Sequence, residues 1–317
     1  MQQYDADPTE DAVLSVLSGT PIEEAATSAC TTPTRLSEAV SRYRAAGRAA
    51  LGACPDGWAQ VNIQFADHST AEHAFRAYLL PSLSITPIGK WWFVRKHPCW
   101  RLRVRPAPGA TTGQALAHIT EAVDSAVSGE VAKGRRTVPY EPETVAFGGP
   151  VGMAITHDLF HADSVGVLNR LHRAAEGGEG MLDTKLTSLL VTTLMLRAVG
   201  LEWGEQGDVW GRIEVFRPLP DAVDPDHVSG MVQRMRHLLS IDAAPALADG
   251  PLVPLREWVT GMERGGQALA SAAGEGQLLL GLRGILARHV LFHWNRMGFS
   301  TRQQAIWCRA ARQAILG

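Results

Sequence analysis

Cysteine is scarce in this 317-residue chain: four residues, Cys30, Cys54, Cys99 and Cys308, lie far apart with no CxxC spacing. Neither a disulfide framework nor a cysteine zinc site is expected, which points to a reducing, cytoplasmic setting. No uninterrupted apolar run is long enough to cross a membrane, and the acidic, polar N-terminus lacks the pattern of a secretory signal. Neither sign of charge dominates. A net charge of −2 argues against a general nucleic-acid binder. A phosphate-binding loop, a GxGxxG turn after a strand and a GxSxG elbow are all missing, as are repeats and low-complexity tracts. What is there is ordinary for a globular protein, 45% hydrophobic and 20% charged, in a chain long enough for one large domain or two modest ones.

The densest pattern is Trp91-Trp92-Phe93-Val94-Arg95-Lys96-His97-Pro98-Cys99-Trp100-Arg101-Leu102-Arg103-Val104-Arg105. Proline cannot donate to a ladder, so His97-Pro98 is read as a turn between two strands. Beyond it, Trp100, Leu102 and Val104 fall on one face and Arg101, Arg103 and Arg105 on the other, a period of two. Three arginines on one face repel unless an anion sits among them. The readings are a solvated strand or an anion-binding row.

The surrounding chain places that row. Residues 58–65 alternate, with Val61, Ile63 and Phe65 against Gln60, Asn62 and Gln64. A helix capped by Ser69 spans 70–83, strands 90–96 and 100–106 follow, then a helix at 112–128 and a short strand at 136–140. The order is β-α-β-β-α-β, so a ferredoxin-like unit in an α+β protein is expected. Right-handed crossovers put the first and third strands in the centre with both helices on one face. Gln60, Asn62 and Gln64 then neighbour the arginines on the other face, which favours an anion or substrate site there. An RNA platform would need stacking aromatics, and the polar face of the first and third strands offers only Trp58, at one end.

The predicted organisation is a small helical module at 1–55 and an α+β domain at 56–317, with a sheet part at about 56–146 and a helical part at about 147–317. In the module, Ala12, Val13, Val16 and Leu17 form a stripe, and Thr20-Pro21 supplies an N-cap and first helical residue. A third helix follows from Thr32 or Thr34 through Leu36, Val40, Tyr43 and Ala50. The turn at 30–33 resembles a helix-turn-helix with Arg35, Arg42, Arg44 and Arg48. Because the rest of the molecule is not basic, a docking module is expected over a DNA reader. In the helical part, segments are expected at 151–161, 163–174, 183–199, 207–216, 224–239, 253–270, 276–297 and 301–316. Residues 183–199 are apolar nearly all round and so central.

Few residues there carry chemistry. His289 and His293 share a helix face, with Arg296 three residues on. A zincin has Glu where Val290 stands, and no third ligand is evident, so no metal is expected. The pair reads either as buried, hydrogen-bonded histidines or as a source of a general base. His161 falls at an expected helix junction, with Asp163 or Ser164 as N-cap. Glu141 and Glu143 follow the fourth strand, either solvated or balancing the arginines.

The ordered set Trp92-Phe93-Val94-Arg95, Pro98-x-x-Arg101-Leu102-Arg103, Tyr140-x-x-Glu143-x-x-x-Phe147-Gly148-Gly149, Phe160-His161-Ala162-Asp163-Ser164 and His293-Trp294-Asn295-Arg296 resembles the C-terminal domain of class I lanthipeptide dehydratases. It looks most like the stand-alone thiopeptide-type bacteriocin biosynthesis proteins. The resemblance runs from about residue 58 to the end. It implies elimination of glutamate from glutamylated Ser/Thr of a precursor peptide, giving dehydroalanine or dehydrobutyrine without metal or organic cofactor. It also implies a separate glutamyl-tRNA-dependent glutamylation subunit, with no direct nucleic-acid or membrane contact by this chain; a homo-oligomer is left open. Arg101, Arg103, Glu143 and either His293 or His289 match the family's catalytic set. Arg95, Arg105, His161, Ser164, Asn295 and Arg296 are the expected substrate contacts. Cys99 stands where the family often has His, and Ala146 where it often has Arg. That keeps a pyridine-forming cycloaddition enzyme as an alternative, beside a non-catalytic peptide-binding scaffold.

Overall fold

Three helices form from the N-terminal segment: α1 (Pro8–Leu17), α2 (Ile22–Ser28) and α3 (Pro33–Gly52). Small and branched apolar residues, Ala12, Val13, Ala25, Ala26, Leu36 and Val40, are buried between them. Pro21 itself precedes the first residue of α2, so Thr20 is not its N-cap. The computed structural model describes residues 8–52, 57–175, 177 and 182–317. Cys54, together with the side chains of Arg48 and Ala50, lies outside them. Met1–Gly57 and Trp58–Gly317 are separate units, and the second carries the sheet.

That unit begins with β1 (Ala59–Phe65) and a helical stretch made of α4 (Ala71–Ala74), a π-helical turn (Phe75–Leu79) and α5 (Leu80–Leu83). Then come β2 (Ile88–Lys96), β3 (Cys99–Pro106), α6 (Thr112–Ser128) and β4 (Ala132–Val138). The strands run in the order β2-β3-β1-β4, each antiparallel to its neighbour. β1 and β3 hold the centre. Their apolar faces are buried through Val61, Ile63, Leu102 and Val104 against the helical stretch and α6, which offer Phe75, Leu79, Ile119 and Val123. Trp100 stacks flat on Phe93 at 5.0 Å and packs on Phe75 at 5.3 Å with the rings tilted by 33°, contacts in which aromatic pairs gain beyond their buried area.

Two sequence expectations shift here. The fourth strand lies at Ala132–Val138, four residues earlier than expected at its start, and Tyr140 is buried beyond its end. Ser69 caps nothing: its N–H and hydroxyl both donate to Asp67, in a turn one residue before Thr70, the residue preceding α4.

The rest is helical: α7 (Gly149–Ala175), α8 (Thr184–Ala198), α9 (Trp203–Phe216), α10 (Pro225–Ser229), α11 (Val232–Ser240), α12 (Ala244–Asp249), α13 (Arg256–Gly274), α14 (Leu282–Met297) and α15 (Thr301–Leu316). A single helix, α7, replaces the two expected at 151–161 and 163–174. There is no junction at His161, because Asp163 is used for tertiary bonds and caps nothing. The expected 224–239 helix breaks at Gly230, and α14 begins six residues later than expected. Every residue of α8 from Thr187 to Leu196 is buried, and α8 packs on α11, α13 and α14.

Candidate functional site

Pairing registers set three rows across the face of the sheet opposite α6. Trp92, Arg103, Gln60 and Val138 form one; Val94, Arg101, Asn62 and Arg136 the next; Lys90 and Arg105 an outer one. Arg136 was not anticipated there, because the strand was expected to begin at that residue and its pairing could not be read from the sequence. Gln64 pairs with Gly134 and lies beyond the arginines.

Arg103 is the centre of this face. It is 7% exposed. Its Nε donates to Gln60 Oε1 at 2.7 Å, and its guanidinium carbon sits 4.2 Å from the Trp92 ring centre and 5.7 Å from that of Tyr140. Gln60 in turn donates to Asn62 Oδ1 at 3.0 Å. Burial pushes the Arg103 guanidinium down to about 9; nearby Tyr140 and Glu143 favour its charge, while Arg101 and Arg296 oppose it. It remains a cation at neutral pH. Arg101 is half-buried, while Arg105 and Arg136 are exposed. Among the described residues, none of these four arginines forms an ion pair with a carboxylate. Glu143 is exposed in the turn before α7. That turn closes through Gly148 and Gly149, at φ +84° and +93°, values a side chain would resist.

An aromatic layer backs the arginines. Trp92 packs on Phe160 at 4.6 Å, Phe160 stacks on Phe292 at 4.9 Å, and Phe147 meets all of Phe160, Phe292 and His289. Tyr140 and His157 share a hydrogen bond of 2.8 Å beneath Trp58. Behind this layer lie the two candidate histidines, 2% and 0% exposed. His289 Nε2 is 3.2 Å from Thr156 Oγ1. Burial, aided by Arg296 and opposed by Asp163, drives its pKa down to about 3. His293 sits between Asp163 Oδ1 and Ser188 Oγ, each at 2.8 Å.

Those two distances match a Ser-His-Asp triad, but Ser188 is fully buried and no substrate reaches it. The group is a polar hub. Asp163 also accepts from Arg296 Nε at 2.6 Å and Trp258 Nε1 at 3.0 Å, so one carboxylate joins α7, α13 and α14, with α8 attached through Ser188. Burial alone would raise Asp163; His293 and Arg296 together hold it well below the usual carboxylate range. Sequence reading missed this hub, because an acid inside a helix looks like a surface residue or a cap until its partners, 130 and 133 positions away, are known.

The remaining expected contacts scatter. Arg95 falls on the opposite face of β2 from Trp92, over Trp100 at 4.7 Å and paired with Glu72 at 3.3 Å. Strand alternation forces it away from the arginine row. His161 and Ser164 meet the outer edge of β2: the Phe93 N–H donates to Ser164 Oγ, and His161 Nδ1 lies against both the N–H and the carbonyl of Trp91. Asn295 accepts from Gln304 of α15. Arg296 is buried on Asp163 and over Phe160. Arg101, Arg103 and Arg105 are thus brought to one face, with Glu143 near enough to Arg103 to favour its charge, and Arg95, His161, Ser164 and Asn295 are not on it. Among the described residues no cluster of three His, Cys, Asp or Glu is placed to hold a metal. A cleft of about 520 Å³ runs along α7, between His161, Asn169 and Arg173 on one side and residues 251–258 on the other; it includes none of the arginine row.

The chain is similar in fold to the tRNA-dependent lantibiotic dehydratase MibB from Microbispora sp. 107891, with a TM-score of 0.61 and 17% identity over 82% of this chain. It spans only 28% of that dehydratase's length. It is also similar to the pyridine synthase TbtD from thiomuracin biosynthesis, with a TM-score of 0.61 and 14% identity over 81% of this chain and 97% of that one. TsrL follows with a TM-score of 0.54 and 16% identity, over 81% and 94% of the two chains. No curated protein sequence matches. The model of the lantibiotic biosynthesis dehydratase C-terminal family matches residues 58–315, and this chain belongs to that family.

Proposed function

We propose that the chain eliminates glutamate from glutamylated serine and threonine residues of a ribosomally made precursor peptide. The observation that carries this reading is the arginine face itself. Arg101, Arg103, Arg105 and Arg136 share one side of a sheet with no carboxylate partner among the described residues. An unbalanced set of guanidinium forks suits a substrate that brings its own carboxylate, and a glutamyl ester does. Elimination removes the Cα proton, forms the Cα–Cβ double bond and breaks the Cβ–O bond, so glutamate departs with the electron pair. Arg103, fixed by Gln60 and Trp92, and Arg101 beside it hold the departing glutamate. Glu143 is the acid–base group that substrate can reach. The neutral imidazole of His289, with its pKa near 3, is a weak base behind the aromatic layer. The side-chain N–H₂ of Asn62, whose carbonyl is taken by Gln60, is a donor for the developing enolate, and such preorganised donors contribute strongly to catalysis. In this reading ester formation belongs to a separate glutamylation partner.

Two observations favour a second reading, formation of a pyridine ring by cycloaddition between dehydrated residues. Ala146 stands where the family often has arginine, and the chain matches nearly the full length of a pyridine synthase. One experiment separates the readings. The precursor peptide is incubated with glutamylation partner, glutamyl-tRNA and this protein, then weighed by mass spectrometry. Loss of glutamate only when this protein is present supports elimination. Glutamate loss that needs only other proteins, with ring closure on adding this one, replaces it with cycloaddition. No change in either assay leaves a peptide-binding scaffold.

A further inference from the structure

The two edges of the sheet are treated differently. On β2, outward backbone groups at Trp91 and Phe93 are taken by His161 and Ser164 of α7. Alternation then fixes every other strand. If Trp91 and Phe93 point outward, Trp92 and Val94 bond β3 through Arg103 and Arg101. Trp100, Leu102 and Val104 therefore bond β1 through Ile63, Val61 and Ala59, and Gln60 and Asn62 bond β4 through Val138 and Arg136. Arg135 and Thr137 are left with their N–H and C=O groups pointing away from the sheet. Among the described residues no hydrogen bond to them is made from that side, and both side chains are exposed.

We propose that the outer edge of β4 receives an extended, acidic stretch of the peptide substrate as a fifth strand. This rests on the peptide-modifying reading above. The charge of the edge selects the occupant. Lys133 and Arg136 are exposed along it, whereas Arg135 is already neutralised by Asp124 of α6 through two bonds of 2.7 Å. A second copy of the chain is disfavoured, since pairing two β4 edges sets these cations against one another. A fifth strand would also extend the row Val94, Arg101, Asn62 and Arg136 by one place. An acidic side chain there meets Arg136, and the peptide is aligned with the arginine face. Backbone bonds then supply affinity while charge and alternation supply selectivity.

The test uses the full chain and a short synthetic peptide of alternating glutamate and valine, with a lysine-for-glutamate counterpart. Amide hydrogen exchange read by NMR should slow at Arg135 and Thr137 on adding the acidic peptide and not the basic one. Thr137→Pro removes one outward donor while keeping the bonds to β1; it should weaken binding by at least about tenfold. Arg136→Glu should invert the preference between the two peptides. Slow exchange at both amides in the free protein would overturn the proposal, because the edge would already be covered. Equal binding by Thr137→Pro, or no protection with either peptide, would also overturn it, leaving Lys133 as a guard against edge pairing. Glutamate elimination that proceeds without edge protection sinks the edge alone. Edge protection without glutamate elimination sinks the proposed chemistry alone.

Discussion

Arg103 and Arg101 are two residues apart in sequence and differ in what surrounds them. Arg103 lies under Trp92 and Tyr140 with its Nε committed to Gln60, while Arg101 is half-buried beside it. Lysine keeps the charge at either position but loses the planar fork. Arg101→Lys is expected to lose about 2–4 kcal/mol of transition-state stabilisation, as for removal of one preorganised donor, with the fold intact. Arg103→Lys should show the same catalytic loss and also unfold at lower urea, because its bond to Gln60 and its aromatic contact are buried. Mass spectrometry should find glutamylated peptide accumulating in both. Near-normal turnover by the double variant would leave only generic positive charge at this face. The alternation that exposes the row was legible in the sequence. Which arginine would be buried was not, because that depends on Trp92 from β2 and Tyr140 from beyond β4.

At the scale of elements, the helices pack at distances that some glycines enforce. A side chain at Gly166 of α7 would place its first carbon 2.0 Å from Trp258 of α13. Gly166→Ala gains helix propensity of about 1 kcal/mol, yet the overlap with an indole whose N–H is already held by Asp163 should win. A net loss of about 1–3 kcal/mol in urea unfolding is expected. Gly113→Ala in α6 is the control: its nearest neighbour would be 3.9 Å away, so stability should stay level or rise. A Gly166→Ala protein as stable as the parent would show that α7 and α13 slide apart at little cost. The position of α6 was legible from its apolar stripe, expected at 112–128 and found at Thr112–Ser128, where a capping box of Thr111 and Gln114 starts it. The continuity of α7 was not. Asp163 and Ser164 resemble a helix start in sequence, and only their partners on α14 and β2 show that the helix runs through.

For the molecule as a whole, two buried titratable groups, His289 and Asp163, tie stability to pH. His289 ordinarily titrates near 6.5 and is held neutral in the fold down to about 3. The unfolded chain therefore binds a proton that the folded chain refuses, and stability falls as pH drops from about 6.5 towards 3. The slope is at most about 1.4 kcal/mol per pH unit from this one group. Asp163 has the opposite charge and acts lower. Its depressed pKa contributes stability above its ordinary 3.8, lost as pH falls through its folded value. Urea unfolding across this range should show the His289 part first, and His289→Gln should flatten it. Parallel profiles for parent and variant would place the pH sensitivity elsewhere.

The sequence by itself determined the local periods. Alternation specified the strands, the two faces of β3 and the presence of a cationic row, and helical stripes specified the three N-terminal helices and a buried α8. These are consequences of backbone geometry, which repeats every two or 3.6 residues whatever surrounds it. Tertiary structure decided which polar residues stay on the arginine face and which are spent inside the fold. It sealed the β2 edge with His161 and Ser164, turned Arg95 to the face bearing α6 and gathered His293 and Arg296 on Asp163; among the described residues it left the arginine row without a carboxylate pair and the outer groups of β4 without a hydrogen bond. Such partners lie on other elements, so their desolvation and pairing are settled only when those elements meet.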